Sequence, residues 1–179
     1  MRIIGVDVDL TVCPSDKGWS KWLKERCSVE YPLGDYESPP YNLGTKFAGV
    51  DDPYNYWREL DYSQFQPIEG SVECLEELSN HFQIVFISRI KGNHTKSKYY
   101  WLKEHFPFMY EYVACHKKHV MNKAVECMID DRLDVLKGFE PQKRVLYNTP
   151  YTQSEQCAVM HRFSVWDERI VKEICVYYW

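Results

Sequence analysis

The chain has 179 residues, with a 45% hydrophobic fraction, a 27% charged fraction and a net charge of −4. That length suits one domain, or a domain carrying an inserted subdomain, with a full core. The acidic balance excludes a broad nucleic-acid or membrane-binding surface, which needs a positive stripe, but it leaves room for a small anionic ligand.

The first element is a strand, Ile3-Ile4-Gly5-Val6, running into Asp7-Val8-Asp9-Leu10-Thr11. On an extended segment, side chains at i and i+2 share a face, so Asp7 and Asp9 point the same way while Val6 and Val8 turn into the core. Two like charges side by side are tolerable when a cation sits between them or one carboxyl holds a proton. That describes a catalytic or metal site; an acidic strand end is the plain alternative for so short a motif. Cys13 to Asp16 reads as a turn, followed by a short helix with Trp19, Trp22, Leu23 and Arg26 or Cys27 on one side. From residue 29 to 65 the chain is rich in Pro, Gly and aromatic residues with little periodicity. Its rings are expected to form the small core of an insert, with a few free to stack on a planar ligand.

Pro67 to Gly70 punctuates that insert, and Ser71 is the expected N-cap of a helix with Val72, Leu75, Leu78 and Phe82 on its apolar stripe. Gln83 to Ser88 is a short apolar run ending in a hydroxyl, the pattern of a strand buried on both faces of a parallel sheet. After a basic and polar stretch from Arg89, residues 95–105 predict an amphipathic helix with Tyr99 or Tyr100, Leu102 and Phe106 inward, stopped at Pro107. A third run, residues 112–115, leads into His116-Lys117-Lys118-His119. A fourth, 127–129, ends in Asp130-Asp131-Arg132, with a helix starting near Leu133. A fifth spans 144–147, and a last helix runs from about Asp167 to Val176 with Ile170, Val171 and Ile174 as its stripe. Short apolar runs alternating with helices predict an α/β fold with a parallel sheet.

Seven cysteines, odd in number and without C-x-x-C spacing, speak against a zinc site and for a reducing interior. Asp7 interrupts the N-terminal apolar stretch, so no signal peptide is expected, and no run approaches the ~20 apolar residues of a membrane span. The expected setting is cytoplasmic, as a monomer or a homodimer.

The first four strands each stop at a chemically loaded residue: Asp7 and Asp9, then Ser88, then Lys117 or Lys118, then Asp130 and Asp131. In an open parallel sheet the carboxyl ends of the strands line one edge, so these residues converge there. Carboxylates suit Mg²⁺, while lysine and hydroxyl suit phosphoryl oxygens. Each has a bland reading as a cap or a solvated loop; the joint occurrence points to a phosphate site.

In this pattern the sequence resembles the haloacid dehalogenase superfamily, with Asp7 to Thr11, Ser88, Lys117 or Lys118, and Ile129-Asp130-Asp131 as its four motifs. Within it, Ser88 to Lys91, Lys98 to Trp101 and Ile129 to Asp134 are most similar to the 5′(3′)-deoxyribonucleotidases. The resemblance implies a Rossmann-like three-layer sandwich, with residues 1–13 and 67–179 as core domain and 14–66 as a small cap inserted after the first strand. It implies Asp7 as nucleophile and Asp9 as proton shuttle, the latter with its pKa raised by its anionic neighbour. It implies phosphate held by Ser88, Arg89 and Lys118 or Lys117, and Mg²⁺ held by Asp7, the Asp9 backbone carbonyl and Asp130 or Asp131. The implied substrate is a small phosphate ester, a nucleoside monophosphate, with Trp19, Tyr56 or Trp57 available to sandwich its base. A sugar phosphate, a nucleic-acid 3′-phosphate end, or a silent nucleotide-binding domain are the alternatives. The chain departs from the group at Leu10, where glycine is usual, and at Arg89, where proline is usual.

Overall fold

A computed structural model of the chain describes residues 1–28, 30, 55–89, 94–150, 152, 156 and 158–179. At its centre lies β1 (Arg2–Val6), flanked by β2 (Phe82–Arg89) on one side and β4 (Cys127–Asp130) on the other. The sheet continues outward through β3 (Glu111–Cys115) beyond β2, and through β5 (Arg144–Tyr147) and β6 (His161–Phe163) beyond β4, giving the order β3-β2-β1-β4-β5-β6. Each neighbouring pair is parallel, with Ile4 opposite both Ile84 and Cys127. A parallel sheet must be covered on both faces, and the strand residues divide accordingly. Ile4, Val6, Ile84, Phe86, Ile129 and Val145 pack with one apolar cluster; Val85, Ile87, Met128 and Leu146 pack with another. The expected α/β sandwich is what the chain forms.

The first face is covered by α3 (Ser71–Ser79), α4 (His94–His105) and α6 (Glu168–Tyr178), with α1 (Ser15–Cys27) packed into the same cluster through Trp19 and Leu23. The short α5 (Leu133–Leu136) and Phe139 cover the second face. Between α1 and α3 the described chain contains α2 (Asn55–Glu59) and a 3₁₀ turn, Tyr62–Gln64. The expected insert aromatics Tyr31, Tyr36, Tyr41, Phe47 and Tyr54 lie outside the described residues, as does the polar stretch 90–93. No helix among the described residues is long and apolar enough to cross a membrane.

Four details differ from the sequence reading. Ser71 is the first residue of α3 and not its cap; Gly70 caps the helix, and the Ser71 hydroxyl donates to the Ile68 carbonyl at 2.6 Å. Phe82 opens β2 instead of closing the stripe of α3. The buried face of α4 is His94, Lys98, Trp101 and Leu102, while Tyr99 and Tyr100 are exposed. That stripe has helical spacing, but two of its members are polar, so a hydropathy pattern assigns the wrong face. Finally, β6 is a three-residue edge strand with no alternation long enough to read.

Gly70 has a positive φ of 77°, and a Cβ there would lie 2.3 Å from the Trp166 carbonyl oxygen. Trp166 in turn donates from Nε1 to the Thr11 carbonyl at 3.0 Å, so this contact bears on the loop after β1. Gly70→Ala is therefore expected to lower stability by about 2 kcal/mol or more through left-handed strain plus displacement of Trp166. Urea denaturation measures it; an unchanged midpoint would show that the loop yields freely.

Candidate active site

Beyond Val6 the ladder persists for one more bond, from the Asp7 N–H to the Ile129 carbonyl at 2.8 Å. The chain then folds back on itself. Val12 and Cys13 both donate to the Val8 carbonyl, Leu10 donates to the Cys13 carbonyl, and Leu10 takes a left-handed φ of 62°. A leucine is strained there and a glycine is not, which gives a physical reason for a glycine at this position in a fold of this kind. The tight turn turns Asp9 away from the line of the strand, and Asp7 and Asp9 both line one pocket at the carboxyl edge of the sheet.

Asp7 is buried. Its Oδ1 accepts from the Val8 N–H at 2.7 Å and lies 2.6 Å from Lys118 Nζ. The same ammonium is 2.8 Å from Asp130 Oδ2, while Asp130 Oδ1 accepts from the Arg132 N–H at 2.9 Å. Asp131 lies alongside, also buried, and its Oδ2 has no hydrogen-bond partner among the described residues. Burial pushes the Asp130 carboxyl up to about 6 against the pull of Lys118, and burial with the Asp130 and Asp7 charges pushes Asp131 up further. For Lys118 burial acts downward, but Asp130 and Asp7 outweigh it and keep the ammonium charged.

A second lysine organises the other half of the site. Lys98, fully buried on α4, donates to Asp9 Oδ2 at 2.7 Å and to Ser88 Oγ at 2.6 Å. Asp9 Oδ1 accepts from the Tyr62 hydroxyl at 2.5 Å. Burial acts to raise the Asp9 carboxyl, but Lys98 and the Tyr62 hydrogen bond outweigh it and hold it well below the usual carboxylate range. This is opposite to the raised pKa expected from the Asp7 charge. The reason is geometric: Asp7 is paired with Lys118, and Asp9 faces a lysine of its own.

Lys98 and Tyr62 are the residues that sequence reasoning missed. Lys98 carried a signal, since it shares the helical spacing of Trp101 and Leu102 and lies on the helix following Ser88; Tyr62 is one of many insert aromatics. Of the candidate residues, Asp7, Asp9, Ser88, Arg89, Lys118, Asp131 and Trp57 line the pocket together with Leu10, Arg132 and Val135. Lys117 is exposed and caps a 3₁₀ turn, Lys118–Met121, so the buried member of the lysine pair is Lys118. Arg89 is exposed at the end of β2. Trp19 and Tyr56 do not line the pocket: Trp19 is wholly buried beneath Trp57, with ring centroids 5.5 Å apart, and the Tyr56 hydroxyl donates to the Ser15 carbonyl. Only Trp57 of the three reaches the wall.

Asp7, Asp130 and Asp131 each offer an oxygen within 4.8 Å of the others, and the Asp131 oxygen lacks a partner among the described residues. Hard oxygens and buried negative charge fit a divalent cation. The Asp9 carboxylate is turned to Lys98 and Tyr62, which leaves its backbone carbonyl as the ligand the resemblance assigns.

Comparison with known proteins agrees with this geometry. The model of a family described as 5′ nucleotidase, deoxy (pyrimidine), cytosolic type C protein matches residues 1–175. The chain is 25% identical over 169 residues to a 5′(3′)-deoxyribonucleotidase of Clostridium acetobutylicum, a match covering 89% of this chain and 88% of that protein. In fold it is similar to a HAD hydrolase of Bacillus subtilis bound to magnesium, with a TM-score of 0.61, 13% identity and 97% of each chain covered. It is also similar to a haloacid dehalogenase-like hydrolase of Burkholderia xenovorans, with a TM-score of 0.64, 13% identity and 98% of each chain covered.

Lys118 is the positive charge among three buried carboxylates. Lys118→Met is expected to reduce stability by about 3 kcal/mol or more in EDTA, since it leaves the buried carboxylates without that compensation. A divalent cation should restore part of the loss. Paired urea melts with and without the cation test this, and a variant as stable as wild type in EDTA would contradict it.

Proposed function

The chain belongs to the 5′ nucleotidase, deoxy (pyrimidine), cytosolic type C family, and from that premise we propose that it hydrolyses deoxy- or ribonucleoside monophosphates with Mg²⁺ through an aspartyl-phosphate intermediate. The observation that carries this reading is the meeting of Asp7, Asp9, Ser88, Lys118 and Asp131 in a single pocket. Side chains suited to act as nucleophile, second acid, phosphate-binding groups and metal ligand thus meet at one edge of the sheet, which supports the reading.

The Asp7 carboxylate attacks phosphorus in line, forming a P–O bond as the bond to the nucleoside oxygen breaks. Asp9 delivers a proton to the departing oxygen, then takes one from the water that cleaves the aspartyl phosphate. In the unliganded site Lys98 and Tyr62 favour the Asp9 anion, so in this proposal the proton it delivers comes from solvent or from a substrate that enters as the monoanion. Ser88 and Lys118 hold the phosphoryl oxygens as charge moves onto them, and Lys98, bonded to both Ser88 and Asp9, couples the phosphate-binding hydroxyl to the proton shuttle. Mg²⁺, when bound by Asp7 with Asp130 or Asp131 and the Asp9 carbonyl, offsets the repulsion between carboxylate and phosphate.

In the proposal residues 14–66, of which 29 and 31–54 lie outside the described residues, form a cap, and its described part borders this site. Two contacts support that reading: Trp57 forms part of the pocket wall, and Tyr62 reaches Asp9. Trp57 is then the aromatic surface on which a base can stack. The described cysteines Cys13, Cys74, Cys115, Cys127 and Cys175 are free thiols, in keeping with a reducing, cytoplasmic setting.

The test is phosphate release from a panel of deoxy- and ribonucleoside monophosphates, with Mg²⁺ and with EDTA. Activity on nucleotides that disappears in EDTA is expected, and Asp7→Asn should lower it by about 10³-fold or more while the thermal melt is retained. A fully active Asp7→Asn protein would defeat the mechanism. Flat activity across the panel with a sugar phosphate preferred would defeat the substrate assignment.

A further inference from the structure

We infer that Tyr62 is a positioning residue for the proton shuttle: its hydroxyl fixes one oxygen of Asp9 while Lys98 fixes the other, so that the carboxyl cannot turn away from the departing oxygen. The distances are 2.5 Å from the Tyr62 hydroxyl to Asp9 Oδ1 and 2.7 Å from Lys98 Nζ to Oδ2. The inference rests on the proposed role of Asp9.

Tyr62 is not part of the sheet edge that supplies the other site residues. It arrives from the chain between α1 and α3, on the 3₁₀ turn Tyr62–Gln64, and α4 holds it in place. The Tyr62 N–H donates to Ser97 Oγ at 2.8 Å, Ser97 Oγ donates to Asp61 Oδ1 at 2.9 Å, and Trp101 Nε1 donates to the Phe65 carbonyl at 2.9 Å. The ring stacks on His94 at 5.9 Å between centroids, and the Lys98 ammonium lies 4.9 Å from its centre. One helix therefore sets both arms of the clamp, since Lys98 is on α4 and Tyr62 is pinned to it. The side chain is wholly buried.

A buried tyrosine could donate to a nearby carboxylate merely to satisfy its hydroxyl. The two cases differ in their dependence on the leaving group. An alkyl phosphate ester, such as a nucleoside monophosphate, expels an alkoxide that needs the proton; 2,4-dinitrophenyl phosphate expels a stable phenolate that does not. If Tyr62 acts through Asp9, its hydroxyl matters for the first ester and hardly at all for the second.

The experiment compares wild type, Tyr62→Phe and Asp9→Asn in single-turnover measurements of leaving-group release from both esters. Tyr62→Phe keeps the ring and its packing. The ratio of the two rates, taken on one preparation, does not depend on how much of it is folded. Tyr62→Phe is expected to slow alkyl ester cleavage about tenfold or more, with dinitrophenyl release changed less than about twofold and KM little altered. Asp9→Asn should show the same selectivity in larger measure. Ser97→Ala, which removes an anchor of the turn and not the hydroxyl, should show it weakly. Equal losses on the two esters in Tyr62→Phe alongside a selective Asp9→Asn would overturn this inference and leave the function standing. Equal losses in Asp9→Asn would overturn both.

Discussion

Everything at the carboxyl edge of this sheet follows from the difficulty of keeping carboxylates close together away from water. Asp7, Asp130 and Asp131 crowd within 4.8 Å, all buried, and such a group is stable only with compensating positive charge or bound protons. The protein answers with Lys118, which touches two of the three, while one oxygen of Asp131 has no partner among the described residues. Asp9 is kept out of that cluster by a separate lysine. Two acids one residue apart in sequence thus occupy different electrostatic environments, and in the proposed mechanism that separation gives one the part of nucleophile and the other that of proton carrier.

The backbone makes the separation possible. Were the strand to continue past Asp7, Asp9 would project beside it on the same face. Instead the chain reverses over residues 8–13, anchored by two donations to the Val8 carbonyl, and Asp9 meets α4. That helix belongs to the layer on one side of the sheet, while α5, which follows the Asp130-Asp131 pair, lies on the other. The two charge systems of the site are supported by opposite layers of the sandwich, with β1 between them.

Much of this was legible in the sequence. Buried parallel strands write themselves as short apolar runs, and each ends where a chemically distinct residue begins, so Asp7, Ser88, the Lys117-Lys118 pair and the Asp130-Asp131 pair could be gathered from strand ends, with the choice within each pair left to the structure. Lys98 was hidden for the opposite reason. It sits in the middle of a helix, and sorting helical positions by hydropathy sends a lysine outward; only its ion pair with Asp9 and its bond to Ser88 reverse that choice. Tyr62 was hidden among many rings in a segment without period. The direction of the Asp9 shift was misread because neighbours in sequence were counted and partners across space could not be. Trp19 and Tyr56 were indistinguishable from Trp57 as aromatic residues, and only packing tells which of the three reaches the pocket.

Leu10 shows what this arrangement means for change over generations. Its left-handed backbone carries a strain of about 1 kcal/mol that a glycine would not have, and its side chain forms part of the wall of the pocket and of a second hollow bounded by Pro14, Asp16, Tyr147 and Thr149. Enlarging a binding site usually weakens the scaffold. At this position, replacing the leucine by glycine would remove a partition between two cavities and relax the backbone at once, offsetting some of the burial that is lost. The path from a smaller to a roomier pocket therefore passes through a residue whose backbone already favours the smaller side chain.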